Sequence, residues 1–181
     1  MRATTEIRMP AQILVADDHE VVYQGISMIL QSRPEWHICG RATNGAEAVK
    51  MAQELKPDAI IMDVTMPVMN GLEATRQISK SPHTFPVIVF TMHESPGLIA
   101  SVQAAGGRGL VLKSRAAQDL IEALDQVLGG GTYFKSDGAE GSGSPANKRE
   151  PGFLRFQWVE FLLNILARLG FRRPAWNSDH L

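Results

Sequence analysis

An α/β fold built on a doubly wound parallel sheet is predicted by three features of the chain. Four short apolar runs, at residues 13–16, 59–62, 87–90 and 109–112, carry no polar alternation. Runs of that kind suit strands buried on both faces of a parallel sheet. Segments with helical spacing separate them, so strand and helix alternate along the chain. Each run also ends in a polar residue: Asp17 and Asp18, then Asp63, Thr91 and Lys113. Ligands in open parallel sheets bind just beyond the carboxyl ends of the strands. Three carboxylates, a hydroxyl and an ammonium are therefore expected to meet at one edge of one sheet.

Taken in order, the elements justify that reading. After Asp18, Val22, Ile26, Ile29 and Leu30 give one apolar helical face. A weaker strand fits at 37–40 (His-Ile-Cys-Gly), and its mixed polarity suits an edge position. Asn44 with Glu47 three residues on resembles a capping box and opens a helix through Ala48, Val49, Ala52 and Leu55. Asn70 with Glu73 repeats the pattern before Leu72, Thr75 and Ile78. Ser95-Pro96 reads as a cap followed by proline at the first helical position, where its missing N–H costs nothing. Leu98, Ile99, Val102 and Ala105 follow, and Gly106-Gly107 ends that helix. Ser114 is the predicted cap of the last helix, which runs through Leu120, Ile121, Leu124 and Leu128 and stops at the glycines 129–131. Strand–helix repeated five times implies right-handed crossovers with helices on both faces. A five-stranded sheet of order 2-1-3-4-5 is the natural candidate.

Composition bounds the function. The 181 residues allow one well-packed domain plus an appendage. A net charge of −1 gives no general attraction to nucleic acid or anionic lipid. Cys39 is the only cysteine, which excludes an intramolecular disulfide and fits a reducing cytosol. Residues 1–12 lack the apolar core of a signal peptide, and no run of spanning length exists. A soluble, cytoplasmic protein is expected. After Lys135 the composition shifts. Residues 136–152, rich in Gly and Ser with Pro145 and Pro151, read as a flexible linker. Residues 153–171 read as one amphipathic helix, and 172–181 as disordered. This tail is too short for a recognition helix with its supporting bundle, so direct DNA binding is not expected. Packing of its apolar face on the domain, or on a second copy in a homodimer, ranks ahead of contact with a membrane surface and of a remnant of a longer chain.

Asp17, Asp18 and Asp63 would repel one another if packed together, by on the order of 4 kcal/mol for a pair about 4 Å apart at intermediate dielectric. Lys113 supplies one offsetting charge. A hard divalent cation, Mg²⁺, suits the rest, because clustered carboxylates with carbonyls and water are its preferred donors. Carboxylate, dication, hydroxyl and ammonium together form a set of groups for phosphoryl transfer.

These stretches carry a resemblance. Residues 13–20 (Ile-Leu-Val-Ala-Asp-Asp-His-Glu), then Asp63-Val64-Thr65-Met66-Pro67 with Asn70-Gly71-Leu72-Glu73-Ala74, then Thr91 and Lys113, resemble the receiver domain of bacterial two-component response regulators. The Asp-Asp-His start and the Gly-Gly-Gly-Thr-Tyr-Phe exit resemble the NarL/FixJ subfamily, whose usual helix-turn-helix output domain is not expected in this chain. The resemblance covers residues 12–135 and implies a flavodoxin-like fold. It implies that Asp63 accepts a phosphoryl group from a sensor histidine kinase. Asp17, Asp18, Asp63 and the backbone carbonyl of Thr65 would hold Mg²⁺. Thr91 would move onto the phosphoryl group, Lys113 would pair with it, and backbone N–H groups of Val64 and Met92 would bind its oxygens. The residue three before the lysine, usually Tyr or Phe in the family, is Leu110. Thr91 and Leu110 are thus the expected switch positions.

Other readings compete. A haloacid-dehalogenase-like phosphatase also uses a strand-end aspartate, but it needs a second aspartate two residues on, where Thr65 stands. The chain is therefore expected not to be an enzyme beyond self-catalysed phosphoryl acceptance and slow self-dephosphorylation. A phosphorylation-independent interaction module, or a truncated or degenerate NarL-type regulator, are the remaining alternatives. His19 is read as a solvated loop or first-turn histidine, since nothing pairs with it at ligand spacing. His93 lies near the site as tuner or bystander.

Overall fold

The structure is a computed structural model and describes residues 9–92 and 95–135. Six strands form one parallel sheet of order β2-β1-β3-β4-β5-β6. In chain order they are β1 (Ala11–Ala16), β2 (Trp36–Ala42), β3 (Ala59–Asp63), β4 (Val87–Thr91), β5 (Gly109–Leu112) and β6 (Tyr133–Phe134). The helices between them are α1 (Glu20–Leu30), α2 (Gly45–Leu55), α3 (Gly71–Ser79), α4 (Leu98–Ala104) and α5 (Ala116–Leu128). The predicted flavodoxin-like, doubly wound architecture is what the chain adopts, with one strand more than expected.

Why these residues form this sheet follows from burial. Side chains alternate between the two faces of a strand. Leu14, Ala16, Ile60 and Met62 pack with Ala48 and Ala52 of α2 and with Ala74 and Ile78 of α3. The intervening Ile13, Val15 and Ile61 are also buried, so both faces of the central strands are covered. Val22, Ile26 and Ile29 of α1 and Leu120, Leu124 and Val127 of α5 bury their apolar stripes as well. Each such side chain removed from water stabilises the fold by roughly 1.5–3 kcal/mol. β2 lies at the sheet edge with four of its seven residues half-buried, as its mixed polarity predicts.

The caps at α2 and α3 form as read, with one difference. Asn44 Oδ1 accepts the Glu47 N–H and Asn70 Oδ1 accepts the Glu73 N–H, each at 2.9 Å. The reciprocal half of the box is shifted: Glu47 reaches the N–H of Thr43 rather than of Asn44, and Glu73 turns to Arg76 and Gln77.

Three expectations need correction. α4 begins at Leu98, not at Pro96. Gly97 sits before it at φ 79°, a left-handed conformation that cannot continue a helix back through Ser95-Pro96. α5 begins at Ala116, not after a Ser114 cap. A single 3₁₀ turn over Lys113–Arg115 comes first, and Arg115 occupies the capping position without a side-chain cap bond. The sixth strand pairs Tyr133 with Gly109 and Phe134 with Leu110, anchored by the Tyr133 N–H on the Arg108 carbonyl at 2.8 Å. Two residues are too few for hydrophobic periodicity to register.

The linker expected at 136–152, the helix at 153–171, the terminus at 172–181 and His93 lie outside the described residues. Among the described residues, no helix is long and apolar enough to cross a membrane.

Val68 carries local strain. It is 89% exposed and sits at φ 66° in the β3–α3 loop, where the Met69 N–H reaches back to the Pro67 carbonyl at 2.7 Å. Left-handed backbone costs a β-branched residue about 1–2 kcal/mol, and no packing would be lost on truncation. Val68→Gly is expected to stabilise the protein by about 1 kcal/mol after the entropy of glycine is subtracted. A urea midpoint at or below that of the wild type would contradict this.

Candidate functional site

β1, β3, β4 and β5 all run in the same direction, so their carboxyl ends deliver side chains to one edge. Register fixes the heights. Ala16 pairs with Met62, Asp63 with Phe90, and Thr91 with Leu112. Asp17, Asp63, Thr91 and Lys113 therefore each stand at or one step beyond the end of their strand. All four are buried. Asp18 is half-exposed at the mouth.

The centre of the cluster is the Lys113 ammonium. Its Nζ lies 2.7 Å from Asp17 Oδ2 and 3.0 Å from Asp63 Oδ1, with the lysine and Asp17 each 1% exposed. The Phe90 ring lies beneath it, 5.7 Å from Nζ to the centroid. Two carboxylates and one ammonium out of water leave a net negative charge, which Asp18 increases at the mouth. Asp17 spends its other oxygen on the chain itself: Oδ1 accepts the His19 N–H at 2.9 Å and so fixes the turn from β1 into α1.

Asp63 is held above the ordinary carboxylate range. Burial is the main cause and the neighbouring Asp17 charge adds to it, while Lys113 and the Thr65 backbone N–H pull the other way. A carboxyl raised in the folded state contributes stability that is complete below its unfolded value of 3.8 and is lost as pH rises through the folded value. At neutral pH Asp63 therefore costs stability. Asp63→Asn is expected to melt a few degrees above the wild type at pH 7, with the gap closing as pH falls toward 4. Melting curves across that range test it. An unchanged or lowered melting temperature at pH 7 would count against the described electrostatics.

His19 is half-exposed at the start of α1, as its reading as a solvated loop or first-turn histidine predicts. What that reading does not foresee is that its Nδ1 lies 2.9 Å from Asp18 Oδ1 and 3.3 Å from Asp17 Oδ1. Its backbone is extended just before α1 (φ −92°, ψ 116°). The only signal available was its position directly after the acidic pair. Gly71 also belongs to the site, because its backbone is pressed against the Asp63 carbonyl. Leu110 stands apart from the edge. It pairs with Val89, two steps below the Thr91 level, and packs with Leu98 and Val102 of α4.

Donor atoms suit a small dication. Asp17, Asp18, His19 and Asp63 each offer an atom, and these atoms all lie within 4.8 Å of one another. An octahedral ion about 2.1 Å from its ligands needs opposite donors about 4.2 Å apart. The oxygen-rich set fits Mg²⁺ without rearrangement of the strands.

Residues 13–125 match the model of the response regulator receiver domain. The transcriptional regulatory protein YdfI of Bacillus subtilis is 36% identical over 126 residues, covering 70% of this chain and 59% of YdfI. The response regulator UvrY of Escherichia coli K12 is 38% identical over 128 residues, covering 71% and 59%. A crystal structure of a LuxR-family two-component response regulator from Aurantimonas sp. SI85-9A1 superposes with a TM-score of 0.67 at 31% identity, covering 71% of this chain and 91% of that one. The chain spans between about half and three-fifths of the length of the curated relatives it matches.

Proposed function

The chain belongs to the response regulator receiver domain family, and from that premise we propose that Asp63 takes a phosphoryl group from a phosphohistidine of a sensor histidine kinase. The observation that carries this reading is the buried Lys113 ammonium held between Asp17 and Asp63. In the reaction an Asp63 oxygen attacks phosphorus in line, and the P–N bond to the kinase histidine breaks. The imidazole leaves with the electron pair. Lys113, 3.0 Å from the accepting carboxylate, pairs with the oxygens of the arriving group. Thr91 presents its hydroxyl from the neighbouring strand end, and the Val64 and Met92 N–H groups complete the cradle.

Receiver domains bind Mg²⁺ at their acidic pocket. In this chain Asp17, Asp18, Asp63 and the Thr65 carbonyl would hold the ion. Bound there, it supplies positive charge against the phosphoryl oxygens. The groups present otherwise orient and neutralise. Thr65 stands where a phosphatase of the haloacid-dehalogenase type needs an aspartate. We read the protein as a switch and not as an enzyme of small phosphoesters. Its setting is the cytoplasm, and contact of the receiver domain with a partner protein or a second copy is the output that we propose for it.

The test uses the full chain and a small phosphodonor such as acetyl phosphate. With Mg²⁺ present, the wild type is expected to gain one acid-stable, base-labile phosphoryl group. Asp63→Asn, and the wild type in excess chelator, gain none. Equal labelling of Asp63→Asn and wild type would overturn the assignment.

One observation favours a second reading, an interaction module that does not switch. Leu110 is an aliphatic residue already packed among Val89, Leu98 and Val102, and it has no ring to rotate when Thr91 moves. Phosphoryl uptake on Asp63 with unchanged hydrogen exchange in α4 and β5 would favour that reading. Altered exchange there, beginning at Leu98 and Leu110, supports the switch.

A further inference from the structure

The acidic pocket carries a nitrogen donor that its charge balance does not require. His19 Nδ1 lies 2.9 Å from Asp18 Oδ1 and 3.3 Å from Asp17 Oδ1. It falls within the same 4.8 Å cluster of potential ligand atoms as Asp63. The His19 backbone N–H is fixed on Asp17 Oδ1 at 2.9 Å, and the residue is extended just ahead of α1, so its side chain leaves the backbone at the mouth of the pocket. The ring is 51% exposed and therefore open to ions from solvent.

Donor type decides what such a ring does. Carboxylate, carbonyl and water oxygens suit hard ions such as Mg²⁺, whereas imidazole nitrogen adds affinity for borderline ions along the series from Mn²⁺ to Cu²⁺. Mg²⁺ keeps its waters and gains little from a nitrogen ligand. We infer that His19 is a ligand of the dication site and gives this receiver a preference for borderline divalent ions, Co²⁺ among them, over Mg²⁺. In the described geometry Nδ1 carries the ring hydrogen and donates it to the Asp18 carboxylate; to bind Co²⁺ that hydrogen would exchange through water to Nε2, which frees the Nδ1 lone pair for the ion. Nothing is consumed: bound water leaves the ion and the imidazole takes its place. The inference rests on the phosphoacceptor reading above, because it assumes that the pocket formed by Asp17, Asp18 and Asp63 is where the dication binds.

The experiment titrates the purified full chain separately with Co²⁺ and with Mg²⁺. Binding is read from the visible absorption of Co²⁺, from displacement of that absorption by Mg²⁺, and from titration calorimetry. The wild type, His19→Ala, His19→Gln and Asp18→Asn are compared. The expected result is tighter binding of Co²⁺ than of Mg²⁺ by the wild type. Both His19 variants should lose at least about tenfold in Co²⁺ affinity, a loss that even outer-shell partners of metal sites commonly cause. Their Mg²⁺ affinity should stay within about twofold, which also shows that they are folded. The Co²⁺ spectrum should lose its nitrogen-ligand signature in the same variants.

A simple hydrogen-bonding role for His19 predicts something else. Removing it would change the two affinities by the same factor, and that result overturns the inference while leaving Mg²⁺-dependent phosphorylation of Asp63 intact. If Co²⁺ binds but Mg²⁺ does not displace it, and Asp18→Asn binds it unchanged, the ion sits elsewhere. That result overturns the inference. Failure of Asp63 to label with a phosphodonor in the same preparation would separately remove the reading beneath it.

Discussion

Lys113→Met is expected to destabilise the protein by about 3–5 kcal/mol at neutral pH, the usual cost of stripping one partner from a buried charge pair. The two side chains have similar length, so the effect reads charge and not a cavity. The lysine is fully buried, and its ammonium lies within 3.0 Å of oxygens from two different strands. Each of those contacts is worth on the order of 5 kcal/mol of Coulomb attraction at intermediate dielectric, before the cost of dehydration is subtracted. Without the ammonium, Asp17 and Asp63 face each other across the same space with Asp18 alongside. Two consequences separate this account from mere loss of packing. The deficit should narrow as the pH is lowered, because the stranded carboxylates take up protons. The double variant Asp63→Asn/Lys113→Met should recover part of the loss, since the two residues are in contact and their effects do not add. Millimolar Mg²⁺ should raise the melting temperature of the single variant, because an ion that binds only the folded state stabilises it. Urea melts of the single and double variants across pH measure all of this. A single variant as stable as the wild type at pH 7 would mean that the buried charges are offset by something other than Lys113.

How much of this was legible in the sequence depends on what each feature needs. The central strands were legible because burial on both faces leaves an unbroken apolar run, and Ile60, Ile61 and Met62 can do little else. The convergence of Asp17, Asp63, Thr91 and Lys113 then followed, since parallel strands in register end at one edge. Helix starts were less legible. Ser95-Pro96 and Ser114 have the chemistry of helix entry, but tertiary demands override them. Gly97 turns the chain in a left-handed conformation before α4. The turn over Lys113–Arg115 carries Lys113 into the pocket and delays α5 until Ala116. β6 is legible only as a partner of β5, because two residues hold no period of their own. His19 shows the same limit at a single residue. Its backbone is tied to Asp17 just ahead of α1, but whether its ring faces solvent or the carboxylates depends on its side-chain torsions, which have no signature in residue order.

Gly71→Ala is expected to be the most damaging alanine substitution among the described glycines. A Cβ at that position would stand 1.9 Å from the Asp63 carbonyl oxygen and 2.8 Å from its carbonyl carbon. Both are backbone atoms, so no rotamer change relieves the clash. Gly71 is the first residue of α3, its N–H donates to the Val64 carbonyl at 2.9 Å, and its own carbonyl accepts the buried Thr75 hydroxyl at 2.7 Å. The helix start is thereby locked onto the end of β3, directly behind the acceptor carboxylate. An alanine must push α3 away, pull Asp63 out of line with Lys113, or both. A loss of about 4 kcal/mol or more is expected, placing the change among the exceptional single substitutions. Gly97→Ala is the contrast. Nothing lies within 4 Å of a Cβ there, and its only penalty is left-handed backbone at φ 79°, on the order of 1 kcal/mol. The two variants should therefore differ in kind. Gly97→Ala should melt slightly early and still accept phosphoryl groups at Asp63 from a small donor. Gly71→Ala should melt much earlier, and the fraction that remains folded should label slowly or not at all. If Gly71→Ala labels as fast as Gly97→Ala, the position of α3 does not govern the acceptor, and the tight seam between Asp63 and Gly71 has no part in aiming the carboxylate.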